Sequence, residues 1–367
     1  MRIVLAPDSF GGTLSAREAA LVMRDAWLAE RPGDQVDLLP QSDGGPGFVD
    51  ALATRGGEVL EATVSGPLGG RVRARWLLQG AGRPEQAPGR VAYVEAAQAC
   101  GLHLLPGPPT PSSAWAATSA GVGDLLLQAA GQQPGSIVVG LGGTACTDGG
   151  CGMLEALGGV EQGRRVLAGT TLVAATDVTS PLLGPQGSAQ VFGPQKGADA
   201  RLVARLEERL SRASTWLLDE QGDAVALREG AGAGGGIGAA LLALGGERVS
   251  GARLVLDATG LGDAWGKERR VDPIDLVITG EGRLDAQTLA GKVVAEVAGR
   301  SLATAGADRV PVIAVVGSCT LDEPDWRRLG LDDILSLSVL RGSMSAAIGD
   351  AAAALADAIS LLARRYH

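Results

Sequence analysis

Six carboxylates stand where an apolar run gives way to glycine and polar residues: Asp8, Asp43, Asp148, Asp177, Glu281 and Asp285. Three cations, Lys196, Arg283 and Lys292, adjoin glycine-rich segments of the same kind. Phosphoryl transfer from a nucleotide needs such an inventory: oxygen ligands for Mg²⁺, cationic or N–H donors for the moving charge, and a base near an acceptor hydroxyl. A single loop aspartate is as readily a helix cap or an Asx turn, but six in such loops point to one shared site. The fullest loop is Gly140-Leu-Gly-Gly-Thr-Ala-Cys-Thr-Asp-Gly-Gly150, which follows Ile137-Val-Val139 and precedes Met153-Leu-Glu-Ala-Leu157. Strand, glycine loop and helix in that order is a setting in which backbone N–H groups hold an anion.

The elements around these residues alternate between strand and helix. Residues 2–6 read as a strand that runs into the loop Pro7-Asp-Ser-Phe-Gly-Gly-Thr13. Ser15-Ala-Arg-Glu18 has capping-box spacing and opens a helix to about Glu30. Val36-Asp-Leu-Leu39 is a second strand, ending in Gln41-Ser-Asp-Gly-Gly-Pro-Gly47. From residue 58 the rhythm changes to short strands and turns, and Gly80–Gly89 reads as a surface turn. Residues 118–130 form a helix before the Gly140 loop, and residues 171–176 a strand before Asp177. Residues 199–218 are an amphipathic helix with Leu202, Leu206, Leu210, Ala213 and Leu217 on its packing face. The glycine run 230–238, closed abruptly by a helix, reads as a loop lying close to ligand or backbone. Asp275-Leu-Val-Ile278 is a buried strand leading to the loop Thr279–Asp285, a helix follows from about Gln287 to Arg300, and strand and helix then repeat to the end. Both ends of the chain are thus of one type. They imply a discontinuous α/β domain of residues 1–57 plus 272–367, with an α/β domain of residues 58–271 inserted, and the polar loops at a cleft between the two.

Composition narrows the partners. Glycine is unusually frequent at 56 residues, Phe, Trp and Tyr together make up 3%, and the net charge is −9, which argues against base stacking and against a phosphate backbone as partner. No nucleic-acid role is expected. The apolar run of Met1–Ala6 is too short for a signal peptide, and no window is long enough to span a membrane, so a soluble cytoplasmic protein is expected. Cys100, Cys146, Cys151 and Cys319 form no C-x-x-C pair and read as structural thiols, and His103 between two leucines reads as structural too. A homodimer is common for soluble enzymes, although no heptad argues for one.

Two nucleotide patterns are weak here. Gly140-x-Gly142-x-x-Ala145 with Glu161 about 20 residues on superficially matches a dinucleotide fingerprint, and an NAD-dependent oxidoreductase would rest on it. Against it, Thr144, Thr147 and Asp148 fill the turn with hydroxyls and a carboxylate. The Walker A pattern is absent, because Gly266-Lys267 and Gly291-Lys292 lack the upstream glycine and the following Ser or Thr.

The chain resembles the bacterial glycerate kinases of the type that includes the glycerate 2-kinases. The resemblance runs through Ala6-Pro-Asp-Ser-Phe10, Ser42-Asp-Gly-Gly45, Ser65-Gly-Pro-Leu-Gly69, Gly140-Leu-Gly-Gly143 with Asp148-Gly-Gly150, Asp177-Val-Thr179, Phe192-Gly-Pro-Gln-Lys-Gly-Ala198 and Val277-Ile-Thr-Gly-Glu-Gly-Arg283 with Asp285. It implies ATP- and Mg²⁺-dependent phosphorylation of D-glycerate, most often to 2-phospho-D-glycerate, on a discontinuous flavodoxin-like domain with an inserted mixed α/β domain. By that resemblance Asp8, Asp43, Asp148, Asp177, Lys196, Arg283 and Asp285 are the catalytic candidates, and Ser9, Ser42, Gly44, Thr118, Gly142, Gly143 and Thr144 would meet the substrate. Gly280, Glu281, Gly282 and Lys292 would meet the nucleotide, and Asp177 with Glu281 the metal. Gly11 stands where many members carry lysine, Pro46 and Phe48 replace an acid and a hydroxyl, and Thr147 replaces a common asparagine. Phosphorylation at the 3-position is one alternative, because regiochemistry depends on fine placement of the reacting atoms, and a catalytically silent glycerate- or nucleotide-binding paralogue is the alternative that Gly11 and Pro46 leave.

Overall fold

A computed structural model describes residues 1–80, 89–261, 273–303 and 309–366. Most of the expected turn at 80–89, the Gly266-Lys267 pair, the expected boundary at 271/272 and His367 lie outside the described residues. In chain order the strands are β1 (Arg2–Pro7), β2 (Gln35–Leu38), β3 (Glu58–Ser65), β4 (Arg71–Gln79), β5 (Val91–Glu95), β6 (Ser136–Gly140), β7 (Thr171–Ala175), β8 (Glu247–Val249), β9 (Leu276–Leu284), β10 (Val312–Cys319) and β11 (Asp333–Ser336). The chain divides into two compact units. One comprises Met1–Asp43, Asp50–Arg55 and Ala252–His367, the other Gly44–Val49 and Gly56–Gly251. The chain re-enters the first unit at Ala252, ahead of residue 272, because Ala252, Leu256 and Leu261 pack into that unit's core with Val4 and Val277.

The first unit is a five-stranded sheet in the order β11-β10-β9-β1-β2, with every neighbouring pair parallel. Counted along the unit's own chain, that is the flavodoxin-like order 2-1-3-4-5. The continuous apolar runs of its strands follow from burial on both faces. Ile3, Leu5, Ile278 and Val315 face a core that includes Ala19, Met23 and Trp27 of the helix Ala16–Glu30 and Leu355 and Ile359 of the helix Ala351–Arg364. Val4, Ala6, Val277 and Ala314 face the opposite core, with Val294 and Val297 of the helix Val293–Ala303. The first helix starts where the capping box placed it. Ser15 Oγ accepts from Glu18 N at 3.2 Å, and Glu18 Oε2 accepts from Ser15 N at 2.8 Å.

The second unit has a six-stranded sheet in simple sequential order, β3-β4-β5-β6-β7-β8. The β3/β4 and β4/β5 pairs are antiparallel, and the ladder is parallel from β5 onward. The helix Ala200–Ser214 begins at Asp199, whose carboxylate accepts from Leu202 N at 2.7 Å, and it buries Leu202, Val203, Leu206, Leu210 and Ala213. Among the described residues no helix is long and apolar enough to cross a membrane.

Candidate functional site

The topology of the first unit decides where its polar residues gather. Strand order reverses between β1 and β9, and a parallel sheet leaves a crevice outside the carboxyl ends of the strands at such a reversal. Asp8 and Ser9 follow β1 directly, Ser42 and Asp43 follow β2, and Glu281 lies toward the carboxyl end of β9. The Asp8 amide donates to Gly280 O at 2.8 Å, which ties the loop after β1 to β9. Burial, reinforced by the nearby charges of Asp43 and Glu281, pushes the Asp8 carboxyl well above its usual range, against a hydrogen bond from Ser9 N and the charge of Lys292.

Glu281 is the most enclosed of these acids, at 5% exposure. Its Oε1 accepts from Thr288 Oγ1 at 2.7 Å. Burial raises its pKa to about 7, Asp285 and Asp43 add to the rise, and the Thr288 hydroxyl and Lys292 oppose it. Thr288, fully buried, also accepts from Asp285 N at 3.3 Å through the same hydroxyl, so its one hydrogen goes to Glu281. Lys292 donates to Gln287 Oε1 at 3.2 Å.

Gly280 and Gly282, expected in an anion-holding loop, lie within β9, because its ladder with β10 continues to Leu284 opposite Cys319. They are glycine for want of space. A Cβ on Gly280 would lie 2.2 Å from Val315 O, and one on Gly282 would lie 2.9 Å from Gly11 N. The Gly282 amide is taken by Ser9 O at 3.3 Å. Arg283 is largely exposed and pairs with Asp285 at 3.3 Å, while Asp285 also accepts from Gln287 N at 2.9 Å in an Asx turn. Asp285 thus does the turn's work.

The second unit holds Gly44, Thr118, Gly142, Gly143, Thr144, Asp148, Asp177 and Lys196. Here the glycine loop after β6 differs from an open anion cradle. The amides of Leu141, Gly142, Ala145 and Gly149 donate to Ala175 O, Gly44 O, Cys100 O and Gly235 O. A Cβ on Gly142 would sit 2.4 Å from Gly45 Cα, and one on Gly143 would sit 2.6 Å from Pro46 Cγ. Gly235 and Gly236 press on Cys146 O and Gly149 Cα at 1.9 and 2.5 Å by the same measure, so the glycine run 230–238 lies against backbone. The dinucleotide reading loses its acid as well. Glu161 is an exposed residue of the helix Val160–Val166, paired with Arg164 at 2.9 Å.

Asp148 is buried and surrounded by donors: Ser119 N and Ser119 Oγ at 2.8 Å, Gly150 N at 3.1 Å, Gly152 N at 3.2 Å and Thr118 Oγ1 at 3.4 Å. It joins residues 118–119 to the start of the helix Cys151–Ala156. The ammonium of buried Lys196 donates to Cys146 O at 2.6 Å and Thr144 Oγ1 at 3.2 Å, and burial lowers its pKa. Asp177 sits half-buried just beyond β7. All four cysteines are free thiols.

Two residues outside the sequence-based set matter here. Thr288 fixes Glu281, and Glu95, buried at the end of β5, accepts from Gly47 N and Val49 N at 3.2 Å each. Glu95 had a visible signal, an acid closing the apolar run Val91-Ala-Tyr-Val94. Thr288 had none, because its role depends on a turn that brings it back to Glu281.

A model of the glycerate kinase family matches residues 3–165 and 159–367. The chain belongs to the glycerate kinase family. The glycerate 2-kinase of Escherichia coli K12 is 36% identical, over 96% of this chain and 94% of that protein. The glycerate kinase of Bacillus subtilis 168 is also 36% identical, over 92% of this chain and 90% of that protein. The crystal structure of a protein assigned as glycerate kinase 2 from Salmonella typhimurium LT2 superposes with a TM-score of 0.72 at 31% identity, covering 100% of this chain and 98% of that one. Membership in the glycerate kinase family makes the chain a kinase, and the two α/β units are the architecture on which its carboxylates are set.

Proposed function

We propose that this chain is a cytoplasmic enzyme that transfers the γ-phosphoryl group of ATP to the 2-hydroxyl of D-glycerate, with Mg²⁺ as cofactor. The observation that carries the reading is the group Asp8, Asp43 and Glu281 at the carboxyl edge of the first unit's sheet, where the strand order reverses. Family membership supports glycerate as the acceptor, and the glycerate 2-kinase among the relatives supports the 2-position.

Among the described residues no three acidic, histidine or cysteine side chains form a ready metal cage. Mg²⁺ commonly binds through one or two carboxylates plus water and phosphate oxygens, so the donor set fits that mode. Asp8 and Asp43 would hold the ion, whose charge would offset the burial and the Asp43 repulsion that raise the Asp8 carboxyl. Bound Mg²⁺ would neutralise charge on the phosphate oxygens during transfer.

Glu281 is assigned as general base. Burial, the leading cause of its raised pKa, keeps this carboxylate basic enough to take a hydroxyl proton. Thr288 occupies Oε1, so Oε2 receives that proton. The acceptor oxygen then forms its bond to phosphorus as the bond between the γ-phosphorus and the bridging oxygen breaks, and ADP leaves with that oxygen. Lys292 contributes positive charge beside the same carboxylates.

The test couples the purified protein, D-glycerate, ATP and Mg²⁺ to enolase without phosphoglycerate mutase. Phosphoenolpyruvate formation is expected. Product that appears only after mutase is added would move the reaction to the 3-position, and ADP release no greater than in the glycerate-free control would sink the reading.

A further inference from the structure

The second unit carries a hollow of about 400 Å³ lined by Trp115, Cys151, Arg209, Arg212, Ala213 and Trp216. Its cations come from one helix. Arg205, Arg209 and Arg212 stand four and three residues apart on Ala200–Ser214, hence on one stripe of its surface. The Arg205 guanidinium lies 4.3 Å from the centre of the Trp115 ring and that of Arg209 lies 5.2 Å from it. Arg209 Nη1 also donates to Trp115 O at 2.9 Å. Stacking on an aromatic face restricts a guanidinium but leaves its in-plane N–H groups available, so these cations are held ready for an anion. Among the described residues none of the three arginines has an ion-pair partner, in a protein whose net charge is −9.

The rest of the lining selects for a flat partner. Trp115 and Trp216 remain 36% and 44% exposed although aromatic residues make up only 3% of the chain. The Trp115 face is covered by guanidinium, which leaves the Trp216 ring to stack on a ligand. Cys151 is an inert part of the wall, since burial, with the charge of Asp148, pushes its thiol to about 11. A second copy is a poor occupant, because a two-fold contact through this face would set arginine against arginine.

We propose that this hollow binds a nucleoside phosphate, with the base against Trp216 and the phosphate on Arg209 and Arg212. The site belongs to the second unit alone and does not rest on glycerate being the acceptor. Protein labelled with 5-fluorotryptophan gives ¹⁹F resonances that can be assigned by their loss in Trp115→Phe and Trp216→Phe. On adding ADP, the Trp216 resonance is expected to shift saturably, at least tenfold more tightly than with pyrophosphate or adenosine alone. Arg212→Glu, a change at an exposed residue, should abolish the shift, and Trp216→Leu should reduce the ADP affinity read from the Trp115 resonance to that of pyrophosphate. No shift of either resonance up to about 10 mM ADP would overturn the proposal. So would a shift that Arg212→Glu leaves intact, and pyrophosphate binding as tightly as ADP would remove the nucleoside. Because the readout needs no turnover, failure of the kinase reading leaves these outcomes unaffected.

Discussion

Asp148 and Glu281 are both enclosed acids next to glycine, beyond or within strands of α/β sheets, yet their surroundings differ in kind. Asp148 accepts hydrogen bonds from Ser119, Gly150, Gly152 and Thr118. A carboxylate so surrounded has its oxygens occupied and little capacity left for chemistry. Glu281 accepts from Thr288 while Asp43 and Asp285 act against its charge. Its ionisation is held near neutrality by burial and repulsion, the condition for a group that must take up and release a proton. The sheets account for part of this contrast. The sequential order of the second unit leaves no reversal, whereas the first unit's 2-1-3-4-5 order brings the ends of β1 and β9 together at a switch point.

The contrast is most directly broken by exchanging the two acids for their amides. Glu281→Gln should lower kcat by about 10²- to 10³-fold with the fold intact, measured by steady-state turnover alongside circular dichroism. Asp148→Asn should do the reverse. It turns an acceptor into a donor facing N–H groups, which should cost about 3 kcal/mol in urea unfolding, while kcat per folded molecule changes little. An Asp148→Asn protein that is fully stable but inactive would put the chemistry in the second unit and reverse the comparison.

Linkage offers a comparable effect that is read from stability rather than turnover. The Glu281 carboxyl binds its proton more tightly folded, at about 7, than at its ordinary 4.5, so the folded state holds more protons than the unfolded state between these values. Its contribution is therefore full below about 4.5 and is lost as pH rises through about 7, by up to about 3 kcal/mol. Urea midpoints of wild type and Glu281→Gln should diverge over that window, with the variant the more stable at pH 8. A constant difference would remove Glu281 as the titrating group.

Smaller effects refine the roles of the glycines and cations. Gly142→Ala, whose Cβ would meet Gly45 Cα at 2.4 Å, should cost about 1–3 kcal/mol by thermal unfolding. A neutral outcome would show that the contact with Gly45 can relax. Arg283→Ala should change stability by no more than about 0.5 kcal/mol, because its pairing with Asp285 is solvent-exposed. A large rise in the KM for ATP in that variant would nevertheless give Arg283 a direct part in phosphate binding.

Much of this was legible in the residues themselves. The capping box at Ser15, the amphipathic stripe of Ala200–Ser214 and the apolar runs of β1 and β9 are local patterns, and local patterns dictate helices and strands. The strand-end acids were legible as a set because polar residues at the carboxyl ends of buried strands are easily seen. What the local pattern could not separate was Asp148 from Asp8 or Glu281, since the donors that complete its shell beside Gly150 and Gly152 come from Thr118 and Ser119, 30 and 29 residues away. The glycines misled for a similar reason. Gly142 and Gly280 look like loop residues for an anion, but the space they leave is filled by the Gly44–Pro46 segment in one unit and by β10 in the other. Sequence by itself determined the elements, the discontinuous layout and the pool of chemical groups, because these depend on near neighbours along the chain. Only the tertiary structure decided which acids are satisfied and which are pressed together, because hydrogen-bond saturation and burial are set by residues that meet through folding.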